Sequence, residues 1–121
     1  MPNIGPIQLP DFPLLLAPME DVSDPPFRAL CKDNGADLMY SEFISSEGLI
    51  RDAIKSLKKL DFSEEERPFG IQIFGGDEEA MAMSARICET VNPDLVDINF
   101  GCPVKKVAGK GKVYHQSILD F

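Results

Sequence analysis

Apolar residues along the chain gather in short runs separated by amphipathic stretches. Four runs have the length of a strand: Leu14 to Met19, Leu38 to Phe43, Phe69 to Phe74 and Leu95 to Phe100. Each is rich in β-branched or aromatic residues, or in Leu and Met, as buried strands are. Between them, apolar positions recur at helical spacing. Ser23 and Asp24 precede Pro25-Pro26, an N-cap followed by residues that need no N–H partner. Phe27, Leu30 and Cys31 then share one face, and Gly35 supplies a stop. Ile50, Ala53, Ile54 and Leu57 mark a second helix. Asp77, Glu78 and Glu79 open a third, at the end where the helix dipole favours negative charge. Its inward stripe is Met81, Ser84, Ala85, Cys88 and Val91. The acidic run Glu64-Glu65-Glu66 reads as a solvated loop before the third strand.

Strands alternating with helices imply parallel βα units joined by right-handed crossovers. Two architectures compete, an open doubly wound sheet and a TIM barrel. A dinucleotide-binding sheet wants a G-x-G-x-x-G after its first strand. Here the first strand ends in Ala17-Pro18-Met19-Glu20-Asp21, without glycine. Polar residues inside the later strands favour the barrel. Gln72 sits between Ile71 and Ile73, and Asp97 and Asn99 share one face of the fourth strand. A buried polar group without a partner costs about 1–3 kcal/mol, and barrels place polar groups near the C-terminal strand ends, where they build their sites. A full barrel needs about eight βα units and ~250 residues. Four strands in 121 residues therefore predict an α/β chain forming the first half of a TIM-type (β/α)8 barrel. The open edges of such a half invite self-association.

Composition changes little in this picture. Hydrophobic residues make up 44% of the chain and charged residues 26%, which suits a folded domain. The net charge of -8 argues against a polyanion as partner for these residues taken alone. The three cysteines, Cys31, Cys88 and Cys102, contain no close pair. That predicts neither a disulfide framework nor a metal site, and suits a reducing compartment. Cys31 and Cys88 lie on apolar helix faces and read as core. No apolar run is long enough to span a bilayer, and no signal-peptide pattern is present, so a cytoplasmic location is expected.

The segment richest in chemistry is Asp97-Ile98-Asn99-Phe100-Gly101-Cys102-Pro103-Val104-Lys105-Lys106-Val107. It sets a cysteine just past the fourth strand, between a glycine that permits close approach and a proline that stiffens the loop. Cys102 is thus a candidate catalytic thiol, or a loop cysteine without a role. Lys105 and Lys106 are placed to attract phosphate. His115 receives no role.

This segment resembles the active-site loop of the tRNA-dihydrouridine synthases, in the form typical of the bacterial B-type enzymes. Ala17-Pro18-Met19-Glu20-Asp21-Val22-Ser23-Asp24-Pro25-Pro26-Phe27-Arg28 is similar to that family's opening signature. Gly35-Ala36-Asp37, Ser41-Glu42 and Gln72-Ile73-Phe74-Gly75 follow in the family's order, and the resemblance runs from about Leu14 to Gly111.

The resemblance implies an FMN-dependent enzyme that reduces the C5–C6 bond of uridine in tRNA, with NADPH as reductant. It implies that Cys102 protonates C5 of a flipped-out uracil while hydride arrives at C6. Pro18, Met19 and Glu20 fall where the family contacts the flavin, largely through backbone. Gln72 falls where a side-chain amide meets the isoalloxazine edge, and Asn99 lies near flavin and uracil. The bland alternatives are a core Met19, a Gln72 satisfied by a neighbouring polar group, and Asp97 and Asn99 paired within the interior. A flavin barrel acting on a free pyrimidine is a rival, but such enzymes do not resemble Gly101-Cys102-Pro103-Val104-Lys105-Lys106-Val107 closely.

The pattern departs from the family after Gly111. Residues 1–111 read as the N-terminal half of the barrel and 112–121 as an atypical tail. The other flavin-phosphate contacts, a catalytic lysine and histidine, and a helical tRNA-binding domain would lie beyond Phe121. An inactive fragment, or a half that needs a separate second half, is therefore the third expectation.

Overall fold

The computed structural model describes residues 1–101; Cys102 and the tail lie outside the described residues. In chain order come a small hairpin, β1 (Asn3–Ile4) and β2 (Ile7–Gln8), then helix α1 (Pro25–Asp33). Two short strands follow, β3 (Met39–Tyr40) and β4 (Ile44–Ser45), and two short helices, α2 (Ser46–Ile50) and α3 (Ile54–Lys58). A 3-10 turn (Glu64–Glu66) leads into strand β5 (Phe69–Phe74), helix α4 (Glu78–Glu89) and strand β6 (Leu95–Ile98).

β5 is buried along its whole length and takes parallel partners on both flanks. β3 and then β4 run along one side, and β6 along the other. Side chains alternate across the sheet. Phe69, Ile71 and Ile73 face the helices and form the core with Met39, Ile44, Leu49, Leu60 and Cys88. Gly70, Gln72 and Phe74 face the other way. Gly70 is flanked in register by Tyr40 and Leu95, and Gln72 by Asp97. A Cβ on Gly70 would come within 2.6 Å of Leu95 Cδ1 and 2.8 Å of Tyr40 Cδ1. The glycine is what lets these two side chains close over the strand. The result is an α/β fold with a parallel sheet, helices on one face and a polar cluster on the other.

Local signals formed α1 and α4 as predicted. Asp24 caps α1 by accepting from the Phe27 N–H at 3.1 Å. At the other end Gly35 adopts φ 101°. This lets the N–H groups of Gly35 and Ala36 reach the carbonyls of Lys32 (3.1 Å) and Cys31 (3.0 Å), satisfying the last turn. Asp77 caps α4 through the Ala80 N–H at 2.8 Å.

Four expectations need correction. The first predicted strand, Leu14 to Met19, contributes only one parallel bridge, Leu15 to Leu38. The Asp37 carboxylate takes the Leu14 N–H at 2.8 Å, and the segment has no second strand beside it among the described residues. The second predicted strand is split. Ser41, Glu42 and Phe43 stand opposite Ile71 and Gln72 alone, so one residue bulges out, and the Ser41 hydroxyl, not a backbone carbonyl, accepts the Gln72 N–H at 3.0 Å. The second predicted helix is also broken. Asp52 at φ 54° turns the chain between α2 and α3, and Gly48 packs directly against Ser56 with no room for a Cβ. Leu49 is thereby buried, while Ile54 is 75% exposed.

The fourth correction concerns charge. Glu66 is buried, not solvated, and so is Arg28. Arg28, rather than Leu30, is the inward residue of α1; Leu30 is exposed. The Arg28 Nε donates to Glu66 Oε1, and its two terminal nitrogens donate to the carbonyls of Ser23 (3.0 Å) and Asp61 (2.9 Å). Its guanidinium lies 4.7 Å from the Phe69 ring centre. Glu66 Oε2 accepts the Ser63 N–H at 2.6 Å. One buried pair thus ties α1 and two loop segments to the start of β5. Removing one partner strands the other charge, so Glu66→Ala is expected to lower stability by about 3–5 kcal/mol in urea unfolding. Arg28→Met combined with Glu66→Leu is expected to recover most of that loss.

Candidate functional site

The strands β3, β4, β5 and β6 pair in parallel, so their C-terminal ends share one edge. The predicted site residues among the described ones, Pro18, Met19, Glu20, Gln72 and Asn99, sit at that edge or on the face opposite the helices. Gln72, near the end of β5, is 7% exposed. Its Nε2 donates to Asp97 Oδ2 at 2.6 Å. Its Oε1 accepts from Asn99 Nδ2 at 3.2 Å. Asn99 follows β6 and is held by its own N–H, which donates to the Ile73 carbonyl at 2.9 Å. Asn99 Oδ1 then accepts the Gly101 N–H at 2.9 Å. The structure therefore joins Gln72 and Asn99 directly, with Asp97 as the third member. Beside them Tyr40 has its hydroxyl pKa pushed upward, first by burial and then by the Asp97 carboxylate.

Pro18, Met19 and Glu20 leave the first sheet segment at the same edge. The Met19 N–H donates to the Ser23 hydroxyl at 2.8 Å, and that hydroxyl donates back to the Met19 carbonyl at 3.0 Å. The carbonyl also accepts the N–H groups of Val22 and Ser23. The Met19 backbone is therefore spent on the turn, and the group it offers outward is its side chain, which is exposed. Glu20 is committed through its carboxylate. Lys59 Nζ lies 2.7 Å from Glu20 Oε1 and 3.7 Å from Glu42 Oε2. The same ammonium donates to the Phe43 carbonyl at 3.4 Å. Phe43 in turn packs on Phe74, ring centres 4.7 Å apart. This chain of contacts joins Glu20 to the end of β5.

Lys59 and Glu42 carried no role in the sequence. Their contacts bridge positions far apart in the chain, and no local pattern signals them. Glu20, Asp21 and Glu42 bring three carboxylates close together, and the single ammonium of Lys59 is shared between two of them. Cys88 is buried in the core and its pKa is raised to about 11 by burial. Cys31 packs against the same core from α1. Both were expected there. Cys102 follows Gly101 directly and lies outside the described residues. No helix among the described residues is long and apolar enough to cross a membrane.

The described residues form an α/β protein with a parallel sheet and polar groups gathered at its C-terminal strand ends, the edge where such sheets commonly place their sites. The family model for dihydrouridine synthase (Dus) matches residues 15–112. The chain is 46% identical over 95 residues to a probable tRNA-dihydrouridine synthase of Aquifex aeolicus, covering 78% of this chain and 30% of that protein. It is 41% identical over 108 residues to tRNA-dihydrouridine synthase B of Pseudomonas aeruginosa, covering 89% and 32% respectively. With tRNA-dihydrouridine synthase B of Proteus vulgaris it shares 38% identity, over 97% of this chain and 37% of that one. The chain belongs to the dihydrouridine synthase family. It spans about a third of the length of these relatives.

The Glu42 carboxyl is shifted upward, first by burial and then by the neighbouring Glu20 carboxylate, with Lys59 opposing. A raised folded pKa means the folded state holds this proton more tightly than the unfolded chain does. The stability Glu42 contributes is therefore full below about pH 4.5, its ordinary value, and is lost as pH rises through the folded pKa. Glu42→Gln is expected to remove that component. The difference in unfolding free energy between wild type and variant, followed by urea melts from pH 4 to 8, is expected to fall with rising pH. A difference that stays flat would count against this electrostatic picture.

Proposed function

We propose that this chain carries part of the active site of a tRNA-dihydrouridine synthase, one that uses FMN and NADPH to reduce the C5–C6 bond of uridine in tRNA. The observation behind this reading is the Asp97–Gln72–Asn99 cluster at the strand ends, immediately before Gly101-Cys102, in a chain of the dihydrouridine synthase family. Residues 1–111 form, in this reading, the first half of a TIM-type barrel, with the cluster on its inner face. The rest of the barrel and most of the tRNA contacts correspond to the part of the relatives this chain does not span.

The donor set suits a flavin. A primary amide has two N–H donors and an acceptor oxygen. Gln72 and Asn99 each use one N–H inside the cluster, leaving one apiece for the carbonyl and ring-nitrogen edge of an isoalloxazine. Pro18 and the exposed Met19 side chain supply an apolar border for the ring. Glu20 belongs to the same border, its carboxylate anchored by Lys59. Bound FMN supplies the hydride for C6, drawn from NADPH. Cys102 holds the proton that C5 receives. In the sequence it follows Gly101, which Asn99 anchors, whereas Cys31 and Cys88 are packed on the helix side of the sheet.

The test is flavin content followed by turnover. The purified 121-residue chain is expected to release FMN on denaturation, or to take it up from excess FMN. Cys102→Ala is expected to keep the flavin and to lower dihydrouridine formation in tRNA by about 10²–10⁴-fold, the usual worth of a general acid. A chain that takes up no FMN would sink the cofactor assignment. A Cys102→Ala variant with unchanged turnover would sink the role given to the thiol.

A further inference from the structure

The two ends of a side-chain amide have the same shape, so only its partners decide which end points where. We infer that Asp97 is a positioning residue: it sets the direction of a side-chain relay that runs from its carboxylate through Gln72 and Asn99 to the backbone of Gly101. This deepens the proposed function and rests on it for the flavin, but the relay itself is a property of the chain alone.

The argument follows the donors. A carboxylate has only acceptors to offer. Facing Asp97 Oδ2 at 2.6 Å, Gln72 must therefore present its NH₂ end. Its oxygen then has to point toward Asn99, which must in turn present its NH₂ end, at 3.2 Å. That leaves the Asn99 oxygen facing the Gly101 N–H, and a backbone N–H only donates; the bond is 2.9 Å. An acceptor-only group stands at one end and a donor-only group at the other. Each amide between them has a single orientation that satisfies every bond.

Register enforces the arrangement. Gln72 and Asp97 are Cα partners across β5 and β6, so their side chains leave the sheet side by side. Gln72 is almost fully buried and cannot turn to solvent for a substitute partner. The upward shift of the Tyr40 hydroxyl, caused in part by Asp97, places the carboxylate's field on this same face. The output of the relay is twofold. It fixes which N–H groups of Gln72 and Asn99 remain for a ligand, and it anchors the residue just before Cys102.

The substitution that isolates direction from shape is Asp97→Asn. An asparagine there can accept or donate, so only the Gly101 end still sets the direction, and the bond from Gln72 to a charged acceptor is lost. In the chain without flavin, NMR of the side-chain amides is expected to show one strongly downfield Nε2 proton for Gln72. That shift is expected to disappear in Asp97→Asn. Amide signals for Gln72 and Asn99 at free-amide positions in the unmodified chain would overturn the relay, and this readout needs no variant to fold.

FMN titration gives the second arm. Asp97→Asn is expected to weaken FMN binding at least about tenfold and to alter the visible band shape, with far-UV circular dichroism unchanged. If Asp97 acts through Gln72, the double variant Asp97→Asn, Gln72→Ala binds no more weakly than Gln72→Ala alone. Losses that multiply, or an Asp97→Asn variant that binds FMN like the unmodified chain, would overturn the positioning role. An unmodified chain that binds no FMN, yet shows the Asp97-dependent Gln72 signal, would support the relay and overturn the flavin reading instead.

Discussion

A glutamine in the middle of a strand that is paired on both flanks has to find its hydrogen bonds inside the protein. Water cannot replace them, and an unmet amide there costs about 1–3 kcal/mol, a large fraction of a small domain's stability. The sheet meets this constraint by pairing β5 with β6 in the register that sets Gln72 against Asp97. The bulge at Ser41 meets it on the other flank, where a hydroxyl takes the backbone N–H that the departing β3 leaves open. The candidate site is therefore the local solution to a packing problem as well as a place for chemistry.

The opposite side of the sheet solves a different problem, how to bury a cation. Arg28 enters the interior because all three of its guanidinium nitrogens donate to acceptors and the group lies over the Phe69 ring. Lys59 does similar work at the strand-end edge between Glu20 and Glu42. Lys32 and Arg67 also donate to partners in the chain. A good part of the positive charge in the described residues is thus used as internal struts. In a chain of net charge -8, that leaves little basic surface for a polyanion. By contrast Lys105, Lys106, Lys110 and Lys112 cluster in the sequence just after Cys102.

Elements whose causes are local could be read from the sequence. The caps at Asp24 and Asp77, the glycine stop at Gly35 and the apolar run of β5 all act within a few residues of themselves. Gln72 and Asn99 were visible for a related reason: a polar residue inside an apolar strand is an anomaly that needs a function or a partner. What escaped was non-local. Glu66 looked like part of a solvated run because its partner, Arg28, is distant in sequence and lies on a helix whose apolar residues seemed to claim the inward face. The break between α2 and α3 depends on Gly48 meeting Ser56, and the retreat of the first strand depends on having one neighbour only. The hairpin of β1 and β2 offered two residues per strand, too few for any periodicity to show. The resemblance sets Met19 at a flavin contact made largely through backbone, and the fold adds that the Ser23 hydroxyl holds the Met19 N–H and carbonyl.

The same distinction separates having the right residues from having a working site. An asparagine, a glutamine and a cysteine near one strand edge are a common inventory. A proton donor must also be held within hydrogen-bond reach of one atom of its substrate, and a small misplacement costs orders of magnitude in rate. In this chain the described segment that ends at Gly101 is anchored to the sheet. It is tied by Gly101 to Asn99, by Asn99 to Gln72, and by Gln72 to a carboxylate on the neighbouring strand. Three side chains thus carry the order of a buried sheet out to its edge. The anchoring of Gly101 depends on that order being directional, because an amide turned the wrong way would break two of the bonds at once.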